Sequence, residues 1–380
     1  MNYKSILNLL GILLVIFSLS FIPPLMLSVF YDEPLNGIFL YSFLFLITLG
    51  CLMWFTSRQK DLPLNISDGF IITTMFWVVL AFAGSIPFYF FGLNASDAIF
   101  ESVSGITTTG ATVIVGLDEL PKSLLLYRQL LQWIGGMGLI ILAVAVMPTL
   151  GIGGGQLYKM ELPGSHGNQK LTPKITDSAK ALWKIYFGLT IICALLYLLS
   201  GMNLFDAIAH SLSTVAGGGF STHDDSIGFF DSGLIEAVCI IFMLLSAASF
   251  AVHYAAIFGG KPLKYFYDSE FRFFLSVVIS IAIVILIFHT VNDSYAEFLL
   301  AVRTSIFHTV SIVTTSGFTT ENFSLWPSFL PYLLLVGAFM GACSQSVGGG
   351  IKTWRVLIMV KQAYKEILNI IHPNAVLSSK

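Results

Sequence analysis

Three short segments of glycine and small or hydroxyl-bearing residues carry the strongest chemical signal in this chain. Each follows an apolar run, and they end at Gly110, Gly219 and Gly317, at similar intervals along the sequence. Such a segment can stay extended and aim its carbonyl oxygens inward, and carbonyl oxygens can replace the water shell of a cation. One copy alone would be interpreted as a glycine-rich turn between helices. Three aligned copies predict an ion filter.

The candidate filter comprises three stretches, which we call filter segments 1, 2 and 3. Their residues are Thr107, Thr108, Thr109 and Gly110; Ala216, Gly217, Gly218 and Gly219; and Thr314, Thr315, Ser316 and Gly317. Adjacent glycines in segment 2 permit positive φ at low cost. The three stretches together supply the carbonyl and hydroxyl oxygens that a cation site requires.

The surroundings of each filter segment repeat as well. An apolar span is followed by a polar break, a short amphipathic stretch, the filter segment, an outer loop and a second apolar span. The amphipathic stretches, 98–106, 204–215 and 295–313, are mostly too short to cross a membrane. We expect pore helices that enter from outside and return as extended chain, which is permitted at membrane depth only beside a cavity or inside protein. Their C-terminal ends would direct partial negative charge at the ion.

Composition places these repeats in a lipid bilayer. The chain is 56% hydrophobic and 11% charged, with a mean hydropathy of +0.84. Long apolar stretches predict an all-α, multi-pass membrane protein. The predicted spans are 6–30, 37–56, 66–92, 124–147, 181–201, 233–258, 271–291 and 329–360. The first span lacks a signal-peptide cleavage pattern and is interpreted as an anchor.

The distribution of charge predicts an orientation. With the N-terminus in the cytoplasm, all but three of the 19 basic residues fall on the cytoplasmic side, and the exceptions are Lys122, Arg128 and Arg303. This asymmetry follows the positive-inside rule. Outer acids such as Asp118 and Asp224 would concentrate cations at the pore mouth, although each acid alone also fits an ordinary solvated loop.

Polar residues recur in register within the amphipathic stretches. Glu101, His210 and His308 each lie nine residues before the final glycine of a filter segment. Polar groups inside membrane proteins are costly and usually paired, so these three are expected to anchor the pore helices rather than to contact ions. Arg303 is expected to pair with an acid.

Other motifs are given structural interpretations. The run Gln132-Trp133-Ile134-Gly135-Gly136-Met137-Gly138 lies in the second span of the first repeat and is interpreted as close helix packing. The chain shows neither a paired-cysteine zinc motif nor a metalloprotease motif. An enzymatic role, a bound cofactor and a nucleic-acid partner are therefore not predicted.

The last predicted span contains the candidate gate. Three consecutive glycines disfavour a helix by roughly 1 kcal/mol each, so the span should break near 341–351. We call 341–352 the gate segment, and its candidate residues are Gly341, Ser344, Gln345, Ser346, Gly348, Gly349, Gly350 and Lys352. A polar, flexible stretch on the cytoplasmic side of filter segment 3 could obstruct the pore. The alternative is a kink that only eases packing.

Together these features resemble the Trk/Ktr/HKT superfamily of potassium transporters, most closely the membrane subunit of bacterial Trk systems. The resemblance rests on the three filter segments, the run from Gln132 to Gly138, and the break ending in Gly348-Gly349-Gly350-Ile351-Lys352-Thr353. It covers nearly the whole chain. It implies repeats of membrane helix, pore helix and membrane helix around a pseudo-fourfold pore, with two extra N-terminal helices.

The resemblance also implies roles for residues and partners. It makes Gly110, Gly219 and Gly317 the selectivity glycines, and glycine at the first position implies preference for potassium over sodium. Potassium, the transported substrate, would contact Thr108, Gly110, Gly217, Gly219, Thr315 and Gly317. The gate segment would be an intramembrane gating loop. A homodimer in the bacterial cytoplasmic (inner) membrane and a cytoplasmic nucleotide-binding regulatory subunit are implied as well.

The family pattern divides the chain into five parts. These are an N-terminal two-helix extension (1–60), pore repeats at 61–150, 151–262 and 263–370, and the start of a linker (371–380). Three of the four family repeats are recognised, and a fourth filter glycine is expected only beyond Lys380. A ring of three repeats would leave one side open to lipid, so this chain alone is expected not to conduct.

Three functions are compatible with these patterns. The first is the conducting subunit of a potassium uptake system, and the second is a truncated, non-conducting fragment of one. The third is an ion-coupled secondary carrier, which also uses broken helices, but carriers are built from inverted repeats. The repeats here run in one direction, so the pore subunit is favoured.

Overall fold

The computed structural model describes residues 3–58, 66–146, 175–327 and 329–372, and these form helices and loops without a β-strand. The α-helices are α1 (Tyr3–Ser18), α2 (Ile22–Phe30), α3 (Asn36–Thr56), α4 (Ile66–Phe91), α5 (Ala95–Ile106), α6 (Lys122–Val146), α7 (Ile175–Leu199), α8 (Leu204–Ala216), α9 (Gly233–Ala247), α10 (Phe250–Ile257), α11 (Lys264–Tyr267), α12 (Ser269–Val291), α13 (Phe298–Val313), α14 (Leu330–Met340) and α15 (Thr353–Ile371). The predicted unit boundaries at 60–61 and 150–151, and 373–380 of the predicted linker, lie outside the described residues.

Several helices are long and apolar enough to cross a membrane. Within the described ranges, the continuous candidates are Tyr3–Phe30, Asn36–Thr56, Asp68–Phe91, Lys180–Leu199 and Ser269–Val291, and α9 with α10 qualifies as a bent pair. All five continuous candidates lie at predicted spans, and α6 coincides with the span predicted at 124–147. The prediction of an all-helical, multi-pass membrane protein is confirmed.

Three shorter helices, α5, α8 and α13, occupy the places predicted for pore helices. The first two begin alike, because the side chain of Asn94 or Asn203 accepts the backbone N–H of Asp97 or Asp206 at 2.9 Å. Asparagine is a preferred helix cap, and the acid suits the positive end of the helix dipole. Helix α13 starts after Glu297 without a side-chain cap. Each helix ends within or directly before a filter segment.

One predicted span has a bend that the sequence did not indicate. The sequence predicts a span over 233–258, and within it the chain bends by 102° between α9 and α10. Ala248 is extended, and the hydroxyl of Ser249 caps α10 by accepting the N–H of Ala251 at 3.3 Å. The bend has no local marker, because the run of serine and alanine contains none of the proline or glycine that usually marks a kink.

The bend is stabilised from outside the helix. The carbonyl of Ala247 accepts the N–H of Cys343 at 3.0 Å, and the N–H of Phe250 donates to the carbonyl of Gln345 at 3.0 Å. Both partners belong to the gate segment. Tertiary hydrogen bonds therefore satisfy the backbone groups that the bend releases.

Buried apolar side chains form two clusters. One joins the N-terminal helices to α4, α5 and α6, and the other joins α7–α10 to α12–α14. Helix α6 lies between them. A β-carbon on Gly135 would stand 1.9 Å from the Ile106 carbonyl oxygen, and one on Gly136 would stand 3.3 Å from Cα of Ala216. Such close approaches confirm that these glycines serve helix packing.

Candidate functional site

The three filter segments meet around one centre at the C-terminal ends of the pore helices. A β-carbon placed on Gly110 would lie 2.1 Å from the carbonyl oxygen of Gly218 and 3.6 Å from that of Ser316. One placed on Gly219 would lie 1.9 Å from the carbonyl oxygen of Ser316. Any side chain at these two glycines would therefore collide with the next segment. Around Gly317, no described atom outside its immediate neighbours lies within 4 Å of such a β-carbon.

The backbone of the three segments shares one alternation of torsion angles. The last residue of each segment, and the residue two before it, have positive φ: Thr108 (54°) and Gly110 (79°), Gly217 (65°) and Gly219 (77°), Thr315 (63°) and Gly317 (85°). Left-handed torsions at every second residue turn successive peptide groups toward one side, unlike a regular strand. Threonine adopts this conformation rarely, at about 1–3 kcal/mol. These are the six residues for which the resemblance implies potassium contacts.

Filter segment 2 is held by a residue that sequence reasoning assigned to packing alone. Gln132 of α6 is fully buried. Its side-chain nitrogen donates to the carbonyl of Gly218 at 2.7 Å. Its side-chain oxygen accepts the N–H of Phe220 at 3.1 Å and the hydroxyl of Ser213 at 2.6 Å. These partners lie 81 to 88 residues away, so no local signal in the sequence could have identified them.

The polar residues that recur in the pore helices tie each helix to the chain beyond its own filter segment. Glu101, His210 and His308 are fully buried. Their respective partners are the Thr112 hydroxyl at 2.9 Å, the Ser221 hydroxyl at 2.9 Å and the Glu321 carbonyl at 3.3 Å. The contacts support the predicted anchoring role.

Two arginines lie between neighbouring repeats. Arg128 of α6 donates to Glu101 at 2.8 Å, with both side chains wholly buried, and also to the carbonyl of Ser221 at 3.2 Å. Arg303 of α13 donates to both carboxylate oxygens of Glu236 in α9, at 2.5 and 2.6 Å. The Arg303 side chain is 28% exposed. The predicted acidic partner of Arg303 is therefore confirmed and is Glu236.

The last predicted span is broken where the sequence indicates. Helix α14 ends at Met340 and α15 begins at Thr353. Positive φ occurs at Gly341, Gln345, Gly350 and Lys352. Within the break, the Ser346 hydroxyl donates to the Cys343 carbonyl at 2.6 Å, the Ala342 N–H donates to Gly349 at 3.2 Å, and the Lys352 ammonium bonds the Gly348 carbonyl.

The gate segment touches filter segment 3 directly. The N–H of Gly349 donates to the hydroxyl of Thr315 at 2.7 Å. A β-carbon on Gly348 would lie 2.9 Å from the Thr314 carbonyl oxygen. The two candidate elements are therefore in contact, and a displacement of one must alter the surroundings of the other.

A carboxylate that sequence reasoning missed bonds both the gate segment and the first turn of α15, which follows it. Glu270, in the first turn of α12, accepts the N–H of Ser344 at 2.5 Å and that of Trp354 at 3.1 Å. Its side chain is buried. Hydrogen bonds to a charged acceptor are stronger than neutral ones, so Glu270 stabilises the observed position of the segment.

The acids predicted for the outer mouth bond other groups of the protein itself. The carboxylate of Asp224 accepts the backbone N–H groups of 116–117 at 3.1 and 2.9 Å. His223 lies between Asp118 and Asp206 and bonds both. Burial alone would lower the pKa of His223, but hydrogen bonds to the two carboxylates outweigh it and raise that pKa. These side chains join the loop that follows filter segment 1 to the loop that follows filter segment 2.

Comparison with known proteins decides the family. The family model described as TrkH, a cation transport protein, matches residues 37–380. The chain belongs to the TrkH family. The Trk system potassium uptake protein TrkH of Halomonas elongata is 47% identical over 383 residues, which cover 100% of this chain and 79% of that protein. The Escherichia coli K12 protein TrkG is 41% identical over 99% of this chain and 78% of its own length.

A solved TrkH-family structure has the same fold. The crystal structure of the potassium transporter TrkH from Vibrio parahaemolyticus matches with a TM-score of 0.89 and 45% identity, over 100% of this chain and 79% of that one. Membership of the TrkH family confirms the recognition made from the sequence. It also assigns the chain to cation transport, as predicted, and not to enzymatic catalysis.

Proposed function

We propose that this protein is the ion-conducting subunit of a Trk-type system that takes up potassium across the cytoplasmic membrane. Backbone carbonyls of the three filter segments select the ion, and the gate segment obstructs the pore. The observation that carries the proposal is the shared alternation of φ in three converging segments, which suits a ring of carbonyl oxygens around a dehydrated cation. Relatives named as potassium uptake proteins support potassium as that cation.

The gate proposal rests on the contacts of the 341–352 segment. Its non-helical backbone carries a hydrogen bond to Thr315 and is held by one buried carboxylate, Glu270. A segment fixed by a few polar contacts can move when those contacts are released, whereas a simple kink would need no link to the filter.

The proposed arrangement in the cell follows the charge distribution. The N-terminus lies in the cytoplasm of a bacterium, the pore repeats are 61–150, 151–262 and 263–370, and the protein forms a homodimer. A cytoplasmic nucleotide-binding subunit docks on the inner face, where α15 carries Arg355, Lys361 and Lys365. Protease protection of terminal tags in inverted membrane vesicles would test the orientation, and crosslinking in the membrane would test the dimer.

Ion preference tests the central proposal. The purified protein should unfold at a higher temperature in potassium chloride than in sodium chloride of equal strength, because a ligand of the folded state stabilises that state. Vesicles containing the protein should take up rubidium in preference to sodium. Equal stabilisation by both cations would contradict the proposal whether or not flux is observed.

A further inference from the structure

Filter segments 1 and 3 are braced by their own hydroxyl groups. In segment 1 the hydroxyl oxygens of Thr107 and Thr109 lie 2.8 Å apart. In segment 3 those of Thr314 and Ser316 lie 3.1 Å apart. The pairs occupy equivalent places, three residues and one residue before the final glycine. Each brace restrains the two peptide groups between its hydroxyl-bearing residues.

A second brace joins the pore helix to the residue after the filter. In the first repeat the hydroxyl of Ser104 donates to the carbonyl of Ala111 at 2.5 Å. In the third, the hydroxyl of Ser311 donates to the carbonyl of Phe318 at 2.6 Å. Both copies therefore hold their filter segments with contacts that stay within one repeat.

Filter segment 2 lacks both braces. The residues equivalent to the two hydroxyl positions are Ala216 and Gly218, which carry no hydroxyl group. The equivalent pore-helix serine, Ser213, donates to Gln132 rather than to its own repeat. A segment with three glycines and no internal brace would have the greatest backbone freedom of the three.

Gln132 supplies the missing restraints from the first repeat. It binds the Gly218 carbonyl, the Phe220 N–H and the Ser213 hydroxyl at once. The orientation of its amide is fixed, because a carbonyl can only accept and a backbone N–H can only donate. Two of these partners, Gly218 and Phe220, flank the filter glycine Gly219, so one side chain holds the backbone on both sides of that glycine.

Position 218 has no space for a side chain, which explains why a glycine lies there. Unlike its neighbours Gly217 and Gly219, it does not have positive φ. A β-carbon there would lie only 2.3 Å from Cδ of Gln132. The amide therefore lies flat against the backbone of segment 2. The carbonyl of Gly218 also faces Gly110, so its position affects the space at the filter centre.

We propose that Gln132 is a positioning residue for ion selection, which fixes filter segment 2 in place of the hydroxyl braces found in segments 1 and 3. The inference rests on the proposed potassium function. Its consequence is that the first repeat sets the geometry of the second filter segment, so ion preference depends on a side chain that does not itself contact the ion.

Two replacements of Gln132 separate its contacts. Gln132→Met keeps the volume and removes all three hydrogen bonds, whereas Gln132→Glu keeps the acceptor and loses the donor to Gly218. The ratio of apparent potassium to sodium affinities, from thermal-unfolding titrations of the purified protein, should fall about three- to tenfold in both. Gln129→Met is the matched control. Gln129 is buried on the same helix, and its amide has no hydrogen-bond partner among the described residues.

A double-mutant cycle tests the contact between Gln132 and Gly218. Gly218→Ala should reduce the potassium-to-sodium ratio in the wild-type background, because the methyl group displaces the amide. In the Gln132→Ala background the same change should have a much smaller effect, since the space is already free. Additive effects would show that the two residues act independently and would overturn the proposal.

The outcomes distinguish the two proposals. A wild-type protein without preference for potassium would contradict the proposed function and this inference together. A wild-type preference that survives in both Gln132 variants, with only the unfolding temperature lowered, would show a purely structural role and overturn this inference alone. A reduced ratio in both variants but not in Gln129→Met would support it.

Discussion

The boundary between filter segments 1 and 2 and the boundary between segments 2 and 3 share one contact but differ in their support. In both, a filter glycine closely approaches a carbonyl of the next segment, Gly110 toward Gly218 and Gly219 toward Ser316. The first boundary is backed by two fully buried polar side chains of α6, Arg128 and Gln132. These hold it through contacts that water does not reach.

The second boundary rests on an ion pair with one partner nearer to water and on the gate segment. That pair joins Arg303, which is 28% exposed, to the buried Glu236, which is 5% exposed. Beneath it, Val347 of the gate segment lies 3.6 Å from a β-carbon built on Gly217. Buried charges resist separation because an unpaired buried charge is costly. The contrast is that the first boundary is held by wholly buried polar side chains, whereas the second lies beside the gate segment.

Replacing the arginine at each boundary by methionine should give the largest difference between the two boundaries, measured as the loss in free energy of unfolding. Arg128→Met leaves Glu101 buried without its partner, and breaking such a pair costs about 3–5 kcal/mol. Arg303→Met also leaves a buried carboxylate, Glu236, without its partner, but water reaches the partly exposed place of Arg303, so the loss should be smaller, about 1–3 kcal/mol. Thermal unfolding in detergent measures both. Equal losses would mean that the two boundaries are equally rigid.

Serine at each filter glycine should separate two effects on ion preference, a collision with the neighbouring segment and backbone strain at a positive φ. Gly110→Ser and Gly219→Ser must displace a facing carbonyl and also adopt a left-handed conformation, whereas Gly317→Ser meets only the second difficulty. We expect the potassium-to-sodium preference to fall about tenfold, or 1.4 kcal/mol, in the first two variants. The potassium-to-sodium preference should fall less in Gly317→Ser. Competition of the two ions in flux or binding assays gives the ratio, and an unchanged ratio in Gly110→Ser would argue against its filter role.

Glu270→Gln should loosen the gate segment and so act on the second boundary. Glutamine retains the size but weakens the hydrogen bonds to Ser344 and Trp354, by about 1 kcal/mol in total, which raises an open population about fivefold. Rubidium flux into vesicles should increase accordingly. Glu366→Gln, an exposed change on α15, is the control. Flux that falls in Glu270→Gln while the protein stays folded would favour a simple kink over a gate.

The smallest effect should come from the contact between the loops that follow filter segments 1 and 2, and it should depend on pH. The pKa of His223 is raised above its ordinary 6.5 by Asp206 and Asp118, against the effect of burial. Its stabilisation is therefore complete below pH 6.5 and is lost as pH rises through the raised value. In mildly acidic buffer the wild type should unfold at a higher temperature than His223→Gln. The corresponding difference in the free energy of unfolding should be less than about 1 kcal/mol. The difference should shrink in alkaline buffer, and a gap that widens there would contradict the assignment.

The sequence predicted the elements whose signals are local. Two of the pore helices start with the same cap, Asn94 or Asn203 followed three residues later by aspartate, and the filter glycines mark their ends. The glycine run near 348–350 placed the last helix break correctly. Each of these signals acts through the propensity of a few neighbouring residues.

The remaining features depend on contacts between distant parts of the chain. The bend near Ala248 has no local marker and is stabilised by the gate segment. Gln132 resembles any polar residue in a packing motif until its partners, 81 to 88 residues away, are placed against it. Glu270 likewise lies 74 residues before Ser344. Periodicity and propensity cannot reveal hydrogen bonds across such separations.

The two helix breaks depend on each other, since the gate segment bonds the free carbonyl of Ala247 and the free N–H of Phe250. Both bonds run between backbone groups, so they depend on the length and path of the 341–352 segment more than on its side chains. A deletion within 341–352 would therefore leave the backbone at 247–250 without its partners inside the membrane, at a cost that lipid cannot relieve. A family member's segment of equal length should preserve folding. The unit available to evolution, or to an engineer, is a loop of fixed length that serves two breaks at once.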